Sequence, residues 1–295
     1  MRKKSFQEIY QKVPANQKER LTNFRKNHPY KTLVVNNIQW EYLRYGNGEK
    51  NLLFLTGGTR IGESYILYPH LEKKFKVISL SYPFLTKVED FIEGIAKILE
   101  NEEITETYLL GTSLGGIFGQ EFVRCYPKKI KKIIIANTMP PSPFYNRRSK
   151  NVVRLLTLLP KWYIRNLTKK NLLKMWGEVA ENEKNFWEAY IDDLACNHMP
   201  KVWIKSQFKL SYDFSNNYNY TPQDLLNWSG EMLIINSERD NTFDATIQKR
   251  LIALYPKAKV HTIKEAGHVP VLKKKKEYLD TIFRFFDIEK TFEES

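Results

Sequence analysis

The chain has 295 residues, of which 42% are hydrophobic and 27% are charged, and this composition excludes an intrinsically disordered protein. Its net charge of +14 comes mainly from lysines spread through nearly every segment, which predicts a solvated basic surface rather than a nucleic-acid-binding face; an anionic partner or a membrane surface is the alternative. Only Cys125 and Cys196 are present, far apart in the chain, so we expect neither a disulfide framework nor a structural zinc site.

The N-terminal segment, residues 1–30, is polar and charged, and we expect it to form a short helix or arm packed outside the main sheet. It begins with basic residues but never develops the roughly 7–15 apolar residues of a signal peptide. No stretch of the chain approaches the ~20 apolar residues of a membrane-spanning helix. The sequence therefore predicts a cytoplasmic protein with no membrane span.

Short apolar strands alternate with helical segments in the first and last parts of the chain, and the first two strands flank a predicted hairpin turn at Asn36 and Asn37. The predicted strands cover residues 33–35, 38–45, 51–55, 77–80, 108–110, 130–136, 232–236 and 260–263. The predicted helices cover residues 64–74, 88–100, 114–125, 246–254 and 277–286. This order is typical of βαβ units, so we expect an α/β fold with a mostly parallel central sheet flanked by helices.

This alternation stops between residues 139 and 228, where aromatic residues follow helical spacing and no buried strand is predicted. We therefore divide the chain into a core of residues 1–138, an insertion of residues 139–228 and a second part of the core, residues 229–295. Ligands of open α/β sheets bind outside the carboxyl ends of the strands. We expect the insertion to form a helical cap over those ends and to build an apolar substrate pocket.

A G-x-S-x-G motif, formed by Gly111, Ser113 and Gly115, lies between a predicted strand and a predicted helix. This context favours a nucleophile elbow, in which small neighbours let the strand and the helix approach each other around a strained serine. We predict that Ser113 is a catalytic nucleophile rather than part of a plain tight turn. The N–H of Leu114 would then lie at the helix N-terminus, where it can bind a developing oxyanion.

A serine nucleophile needs a general base that is oriented by a carboxylate, and in this order of elements the acid precedes the histidine. His268 is the predicted base because it follows the last strand on a glycine-containing loop; a structural histidine is the alternative. The other histidines lie elsewhere. His28 precedes the sheet, and His70 lies in an early predicted helix. His198 lies in the insertion, and His261 opens the last predicted strand.

The predicted acid is Asp240, on the loop after the first strand beyond the insertion. Asp244 and Glu238 are its competitors, although an aspartate at the position of Asp244 commonly caps the following helix. A second oxyanion donor is expected in the glycine loop after the third predicted strand, with Gly58 as the first choice and Thr59 as the second. An ordinary glycine turn is the alternative for that loop.

Over about residues 33–286 the chain resembles the α/β-hydrolase fold superfamily, on the motifs GTSLGG, SERD and EAGHVPVL. Within it, VISLSYPF, GTSLGGIFGQEF, KKIIIANTMPPSPF and LYPKAKV are similar to the maspardin-like group. Two departures from the wider pattern stand out, the first in the oxyanion loop and the second in the turn after the strand matched by VISLS. Thr56 stands where most members have a histidine, and Ser81-Tyr82-Pro83-Phe84 replaces a common Asp-x-x-Gly-x-Gly turn.

The resemblance implies a serine hydrolase that acts on a carboxylic ester or related acyl compound through an acyl-enzyme, without cofactor or metal. Ser113 would attack, His268 would transfer the proton, and Asp240 would orient the imidazole. The expected partner is a small acyl substrate with an apolar part, and no nucleic acid is expected. Maspardin itself is regarded as a partner-binding protein that lacks part of the catalytic set. The alternative is therefore a non-catalytic adaptor that binds a protein on a hydrolase scaffold.

Overall fold

The computed structural model describes residues 3–57, 65–177 and 179–288, and within these ranges it leaves aside the side chains of residues 144–148. The described strands are β1 (Lys31–Val35), β2 (Ile38–Tyr45), β3 (Lys50–Leu55), β4 (Phe75–Ser81), β5 (Thr107–Thr112), β6 (Ile130–Ala136), β7 (Glu231–Ser237) and β8 (Lys259–Ile263). Among the described residues these eight strands form one sheet in the order β1-β2-β4-β3-β5-β6-β7-β8. The predicted strands are all present, with ends that differ by no more than two residues.

The sheet is mostly parallel, as the sequence predicts. Strand β2 pairs antiparallel with β1 and β4, and every pairing from β4 through β3, β5, β6 and β7 to β8 is parallel. The hairpin between β1 and β2 turns at Asn36 and Asn37, whose φ angles are 49° and 62°. Asparagine tolerates this left-handed conformation better than most residues, which explains the predicted turn.

The described helices are α1 (Phe6–Ile9), α2 (Ala15–Asn27), α3 (Tyr68–Leu71), α4 (Val88–Asn101), α5 (Leu114–Cys125), α6 (Pro143–Leu158), α7 (Lys161–Trp176), α8 (Lys184–Asp193), α9 (Lys201–Asn217), α10 (Ala245–Leu254) and α11 (Lys275–Phe285). The prediction of a continuous helix over residues 64–74 is wrong for the described residues, because only α3 is α-helical there. Pro69 has no backbone N–H and fits only the first turn of a helix. The chain must then extend again at Phe75, where β4 begins.

Helices cover both faces of the sheet, so its central strands are buried on both sides, whereas the edge strands β1 and β8 are largely exposed. Along β3, Leu52 and Phe54 belong to the core on one face, whereas Leu53 and Leu55 belong to the core on the other. This alternation follows from the two-residue period of a strand. The apolar faces of α4, α5 and α10 pack on one side, and those of α3 and α11 pack on the other. The buried strands therefore hold the loops at their carboxyl ends on a rigid base.

Helices α6 to α9 lie between β6 and β7 in the chain, which is where the sequence breaks its α/β alternation. Part of this segment has its own small core, formed by Leu156, Ile164, Trp203 and Ile204. The N-terminal helices α1 and α2 pack against α8, where Arg25 donates to the buried Asp193 at 2.7 Å. The N-terminal segment thus packs outside the sheet, against a helix that follows β6.

Candidate active site

Ser113 lies on a sharp turn between β5 and α5 with φ 51° and ψ −116°. A side chain at Gly115 would collide with the carbonyl oxygen of Leu55 in β3, and a Cβ at Gly111 would lie 2.6 Å from the carbonyl oxygen of Gly115. The Ser113 N–H donates to the Ala136 carbonyl oxygen at 2.9 Å, which ties the turn to β6. The glycines therefore allow the close approach that holds a strained serine at the carboxyl end of the sheet.

The structure brings Ser113, Asp240 and His268 together from the ends of β5, β7 and β8. Nε2 of His268 lies 3.0 Å from Oγ of Ser113, and Nδ1 lies 2.9 and 3.0 Å from the two carboxylate oxygens of Asp240. The histidine and aspartate side chains are only 2% and 0% exposed. Because the carboxylate can only accept, Nδ1 carries the proton and Nε2 is free to accept from the serine hydroxyl. This is the arrangement that a general base requires.

The competing acids are engaged elsewhere. The carboxylate of Asp244 accepts from the N–H groups of Thr246 and Ile247 and caps α10. Glu238 accepts from the N–H of Glu265 at 2.8 Å. Neither side chain has a hydrogen bond to His268 among the described residues.

The other histidines also have separate environments. His28 bonds to Glu72, His198 pairs with Asp193, and His261 contacts Glu277 on α11. Burial, assisted by the nearby charges of Lys275 and Lys73, lowers the pKa of His70 to about 4. Within the described part of the chain, His268 is the histidine that contacts Ser113.

The carboxylate of Asp240 is held by several donors at once. One oxygen accepts from the N–H groups of Thr242 and Phe243 at 2.7 and 3.1 Å, and the other accepts from Nδ2 of Asn137 at 3.0 Å. Burial acts to raise the pKa of Asp240, but the hydrogen bond and charge of His268, with the bonds from Asn137 and Phe243, hold that pKa below its ordinary value. Asp240 therefore stays ionised beside the imidazole at neutral pH.

Asn137 is a member of the site that the sequence reasoning missed. It follows β6 with φ 45°, its N–H donates to the Ile235 carbonyl oxygen, and its side-chain amide orients Asp240. The sequence did contain a signal for this residue, an asparagine directly after a long apolar strand. Asparagine tolerates a positive φ, and the ends of parallel strands meet at one edge of the sheet, so its side chain could have been expected near the site.

A second missed contact joins the two departures from the superfamily pattern. The phenol of Tyr82, just after β4, donates to the carbonyl oxygen of Thr56 at 2.8 Å. Thr56 itself is 2% exposed and leads into the loop where the second oxyanion donor is expected. Gly58 and Thr59 lie outside the described residues. Tyr82, directly after β4, therefore holds the residue from which that loop starts.

A cavity of about 70 Å³ opens beside Ser113 and His268. Met175 and Trp176 at the end of α7 line it, so the segment between β6 and β7 contributes to the wall of the cavity that Ser113 also lines. The remaining lining that the structure describes is mostly apolar: Phe54, Thr56, Gly57, Ile66, Leu67, Thr112, Asn137, Val269, Pro270, Val271 and Tyr278. In the described residues no group of three or more acidic, histidine or cysteine side chains could hold a metal ion.

A family model described as the alpha/beta hydrolase fold matches residues 50–275 of the chain. This protein belongs to the α/β-hydrolase fold family. Maspardin from Danio rerio is 21% identical to this hydrolase-fold chain over 200 residues, which cover 67% of the chain and 61% of maspardin. The uncharacterized hydrolase YugF from Bacillus subtilis is 22% identical over 256 residues, which cover 82% of the chain and 92% of YugF.

The enol-lactonase from Burkholderia xenovorans LB400 is similar to this hydrolase-fold protein in three dimensions, with a TM-score of 0.72 and 15% sequence identity. The match covers 88% of this chain and 100% of the lactonase. At this identity the likeness shows the common fold. None of the helices in the described part of the hydrolase-fold chain has the length and apolar character needed to cross a membrane.

Proposed function

We propose that this protein is a serine hydrolase that cleaves a carboxylic ester or a related acyl compound through an acyl-enzyme. The observation that carries the proposal is the continuous hydrogen-bonded path from Ser113 Oγ through His268 to Asp240, beside an apolar cavity. A serine hydroxyl is a weak nucleophile at neutral pH and needs this type of activation. Nothing in that path requires a cofactor.

In the proposed reaction Ser113 Oγ attacks the carbonyl carbon while its proton moves to Nε2 of His268. Asp240 stabilises the imidazolium, which then gives the proton to the departing alcohol. Water then enters, loses a proton to Nε2 of His268 and attacks the acyl carbon. The imidazolium returns that proton to Ser113 Oγ as the bond between the acyl carbon and Oγ breaks and the acid leaves. The N–H of Leu114, the first residue of α5, and that of Gly58 are the proposed oxyanion donors.

We further propose that residues 139–228 act as the substrate cap on a core formed by residues 1–138 and 229–295. Met175 and Trp176 support this proposal because they line the cavity from α7. The cavity of about 70 Å³ is much smaller than the roughly 300–1,000 Å³ of typical drug-sized ligand sites. We therefore expect short apolar acyl groups, such as acetyl and butyryl, to be turned over faster than octanoyl.

Labelling with a fluorophosphonate probe tests the proposed nucleophile directly. The wild-type protein should be labelled, Ser113→Ala should not, and Ser211→Ala, the same change on α9 away from the cavity, should be labelled like the wild type. In p-nitrophenyl ester hydrolysis Ser113→Ala should leave only the rate supplied by binding and the oxyanion donors. Ester turnover that survives Ser113→Ala would overturn the assignment.

The similarity to maspardin favours one alternative, a partner-binding protein on a hydrolase scaffold. A folded wild-type protein that is neither labelled by the probe nor active on any ester of the acetyl-to-octanoyl series would support that alternative. The intact hydrogen bonds of Ser113, His268 and Asp240 favour the enzyme.

A further inference from the structure

A second, larger cavity lies between α7, α9 and the N-terminal segment. This basic groove has a volume of about 860 Å³ and shares no described lining residue with the cavity beside Ser113. Six of its described lining residues are cations and none is an acid: Lys3, Lys161, Arg165, Lys201, Lys205 and Lys209. The groove therefore concentrates positive charge that has no role in the proposed ester hydrolysis.

Most of these cations have no carboxylate partner within the described part of the chain. Lys169, one turn beyond the groove on α7, pairs with Asp192 at 3.1 Å, but Lys161, Lys205 and Lys209 pair with no described acid. Lys201 has hydrogen-bond partners that carry no charge: its ammonium group donates to the carbonyl oxygens of Thr157 and Leu159. Unneutralised like charges repel one another, so a surface that gathers them is suited to an anionic occupant.

Large apolar side chains are exposed next to the groove, where α6 ends and α7 and α9 begin. Leu158 is 84% exposed and Trp162 is 54% exposed, and the rings of Trp162 and Tyr163 lie edge to face with centroids 5.7 Å apart. We call this cluster the apolar corner: Leu155, Leu158, Trp162, Tyr163 and Val202. The bond from Lys201 to the end of α6 joins the corner to the groove.

The apolar corner is not needed to hold its helices together. Leu156, Ile164, Trp203 and Ile204 already form the buried contact between α6, α7 and α9 on the inner side. The outward residues are therefore an exposed apolar patch, and such patches on a folded protein mark interaction surfaces.

We propose that the basic groove and the apolar corner form a docking surface for a lipid bilayer that contains anionic lipids. A soluble anion would account for the cations but not for the exposed Trp162, Tyr163 and Leu158. An anionic bilayer accounts for both features, because lysines are attracted to its surface charge while aromatic and aliphatic side chains enter the boundary between headgroups and acyl chains. The attachment is peripheral and does not depend on the proposed ester hydrolysis.

Sedimentation with lipid vesicles tests the docking surface. The 295-residue chain should bind vesicles of phosphatidylcholine with about 30% phosphatidylserine and should bind pure phosphatidylcholine weakly. The triple variant Lys161→Ala, Lys205→Ala, Lys209→Ala should lower the partition coefficient on the order of 100-fold. The variant Trp162→Ser should lower it roughly tenfold, because a large apolar side chain is no longer buried at the interface.

A matched control removes the same charge elsewhere. Lys76→Ala, Lys249→Ala, Lys264→Ala changes three exposed lysines outside helices α6 to α9, and it should bind nearly as well as the wild type. All these variants should keep wild-type turnover of a soluble ester, since none of the changed residues lines the cavity beside Ser113.

Three results would overturn the docking proposal. The first is no binding of the wild type to anionic vesicles, and the second is an equal loss of binding in the control triple variant. The third is binding to heparin or single-stranded DNA that depends on Lys161, Lys205 and Lys209 without any vesicle binding, which would assign the groove to a soluble polyanion. A blue shift of fluorescence on adding anionic vesicles that disappears in Trp162→Phe would support insertion of the corner.

Discussion

Replacing Asp240 by asparagine tests the proposed acid while changing almost no volume. The oxygen that accepts from the Thr242 and Phe243 N–H groups cannot become an NH₂ group, because two donors already point at it. The new amide must therefore keep its oxygen there and turn its NH₂ toward Asn137 and His268. The orientation of the variant side chain is thus set by the surrounding donors.

Asn137 can accommodate this change. Its side-chain oxygen is buried and has no hydrogen-bond partner among the described residues. Rotation of that amide would let the oxygen accept from the new NH₂ group, so we expect Asp240→Asn to fold with a free energy of unfolding within about 1–2 kcal/mol of the wild type. The variant should be a folded protein with an altered histidine.

The effect on catalysis is expected to be large. The NH₂ group that replaces the oxygen 2.9 Å from Nδ1 donates to that nitrogen, which favours the tautomer with its proton on Nε2 over the one in which Nδ1–H donates to the retained oxygen at 3.0 Å. In that tautomer the imidazole cannot take the proton of Ser113. The corresponding change in Ser-His-Asp enzymes lowers kcat by roughly 10⁴, equivalent to about 5.5 kcal/mol of activation free energy. We expect a loss of roughly 10³–10⁴ in kcat/KM on p-nitrophenyl butyrate.

The matched control is Asp244→Asn, which changes the competing acid in the same way. Asparagine caps a helix about as well as aspartate, so this variant should keep both stability and activity. Circular dichroism and thermal unfolding establish that both variants fold. Near-wild-type kcat/KM in Asp240→Asn together with a slow Asp244→Asn would refute the assignment of the acid.

Three further changes probe the loops and the pH response. Tyr82→Phe removes the donor to the Thr56 carbonyl oxygen and should lower kcat more than it changes KM; unchanged kcat with lower stability would give that bond a structural role only. Gly115→Ala should abolish probe labelling or folding because its Cβ meets the Leu55 carbonyl oxygen, and a fully active variant would contradict the close packing. His70 has its pKa lowered from 6.5 to about 4, so the unfolded state binds a proton first and stability should fall as pH drops from about 6.5 to 4. Thermal unfolding should show that fall flattened in His70→Leu, and an identical pH profile in both proteins would count against a half-buried neutral His70.

Several features of this protein follow from local sequence. Apolar runs of strand length separated by helical segments predict the parallel sheet, because each run needs cover on both faces. The order of elements also leads to His268, the histidine on the loop after the last strand. The glycines around Ser113 are needed because a Cβ at either position would collide with nearby backbone atoms. They lie within two residues of the serine, so the motif could be recognised in the sequence.

Other features depended on segments that meet only in the folded chain. Spacing alone left Asp240, Asp244 and Glu238 as alternatives, and only the approach of β7 to β8 places the first of these against His268. The short α3 reflects the position of β4, which requires extended chain from Phe75 onward.

The strand order explains both missed contacts near the site. Tyr82 reaches Thr56 because β4 lies beside β3, although the two residues are 26 positions apart. Asn137 reaches Asp240 across 103 positions because β6 lies beside β7.

The basic groove depends on tertiary structure in the same way. Lys3, Lys161 and Lys205 lie on three separate segments, and in the sequence they are three among many scattered lysines. Local patterns determine which segments become strands and helices, because hydrogen bonding and burial within a segment depend on its own residues. Which side chains share a site was decided by the order of strands in the sheet and by helix packing, since those bring distant parts of the chain within contact distance.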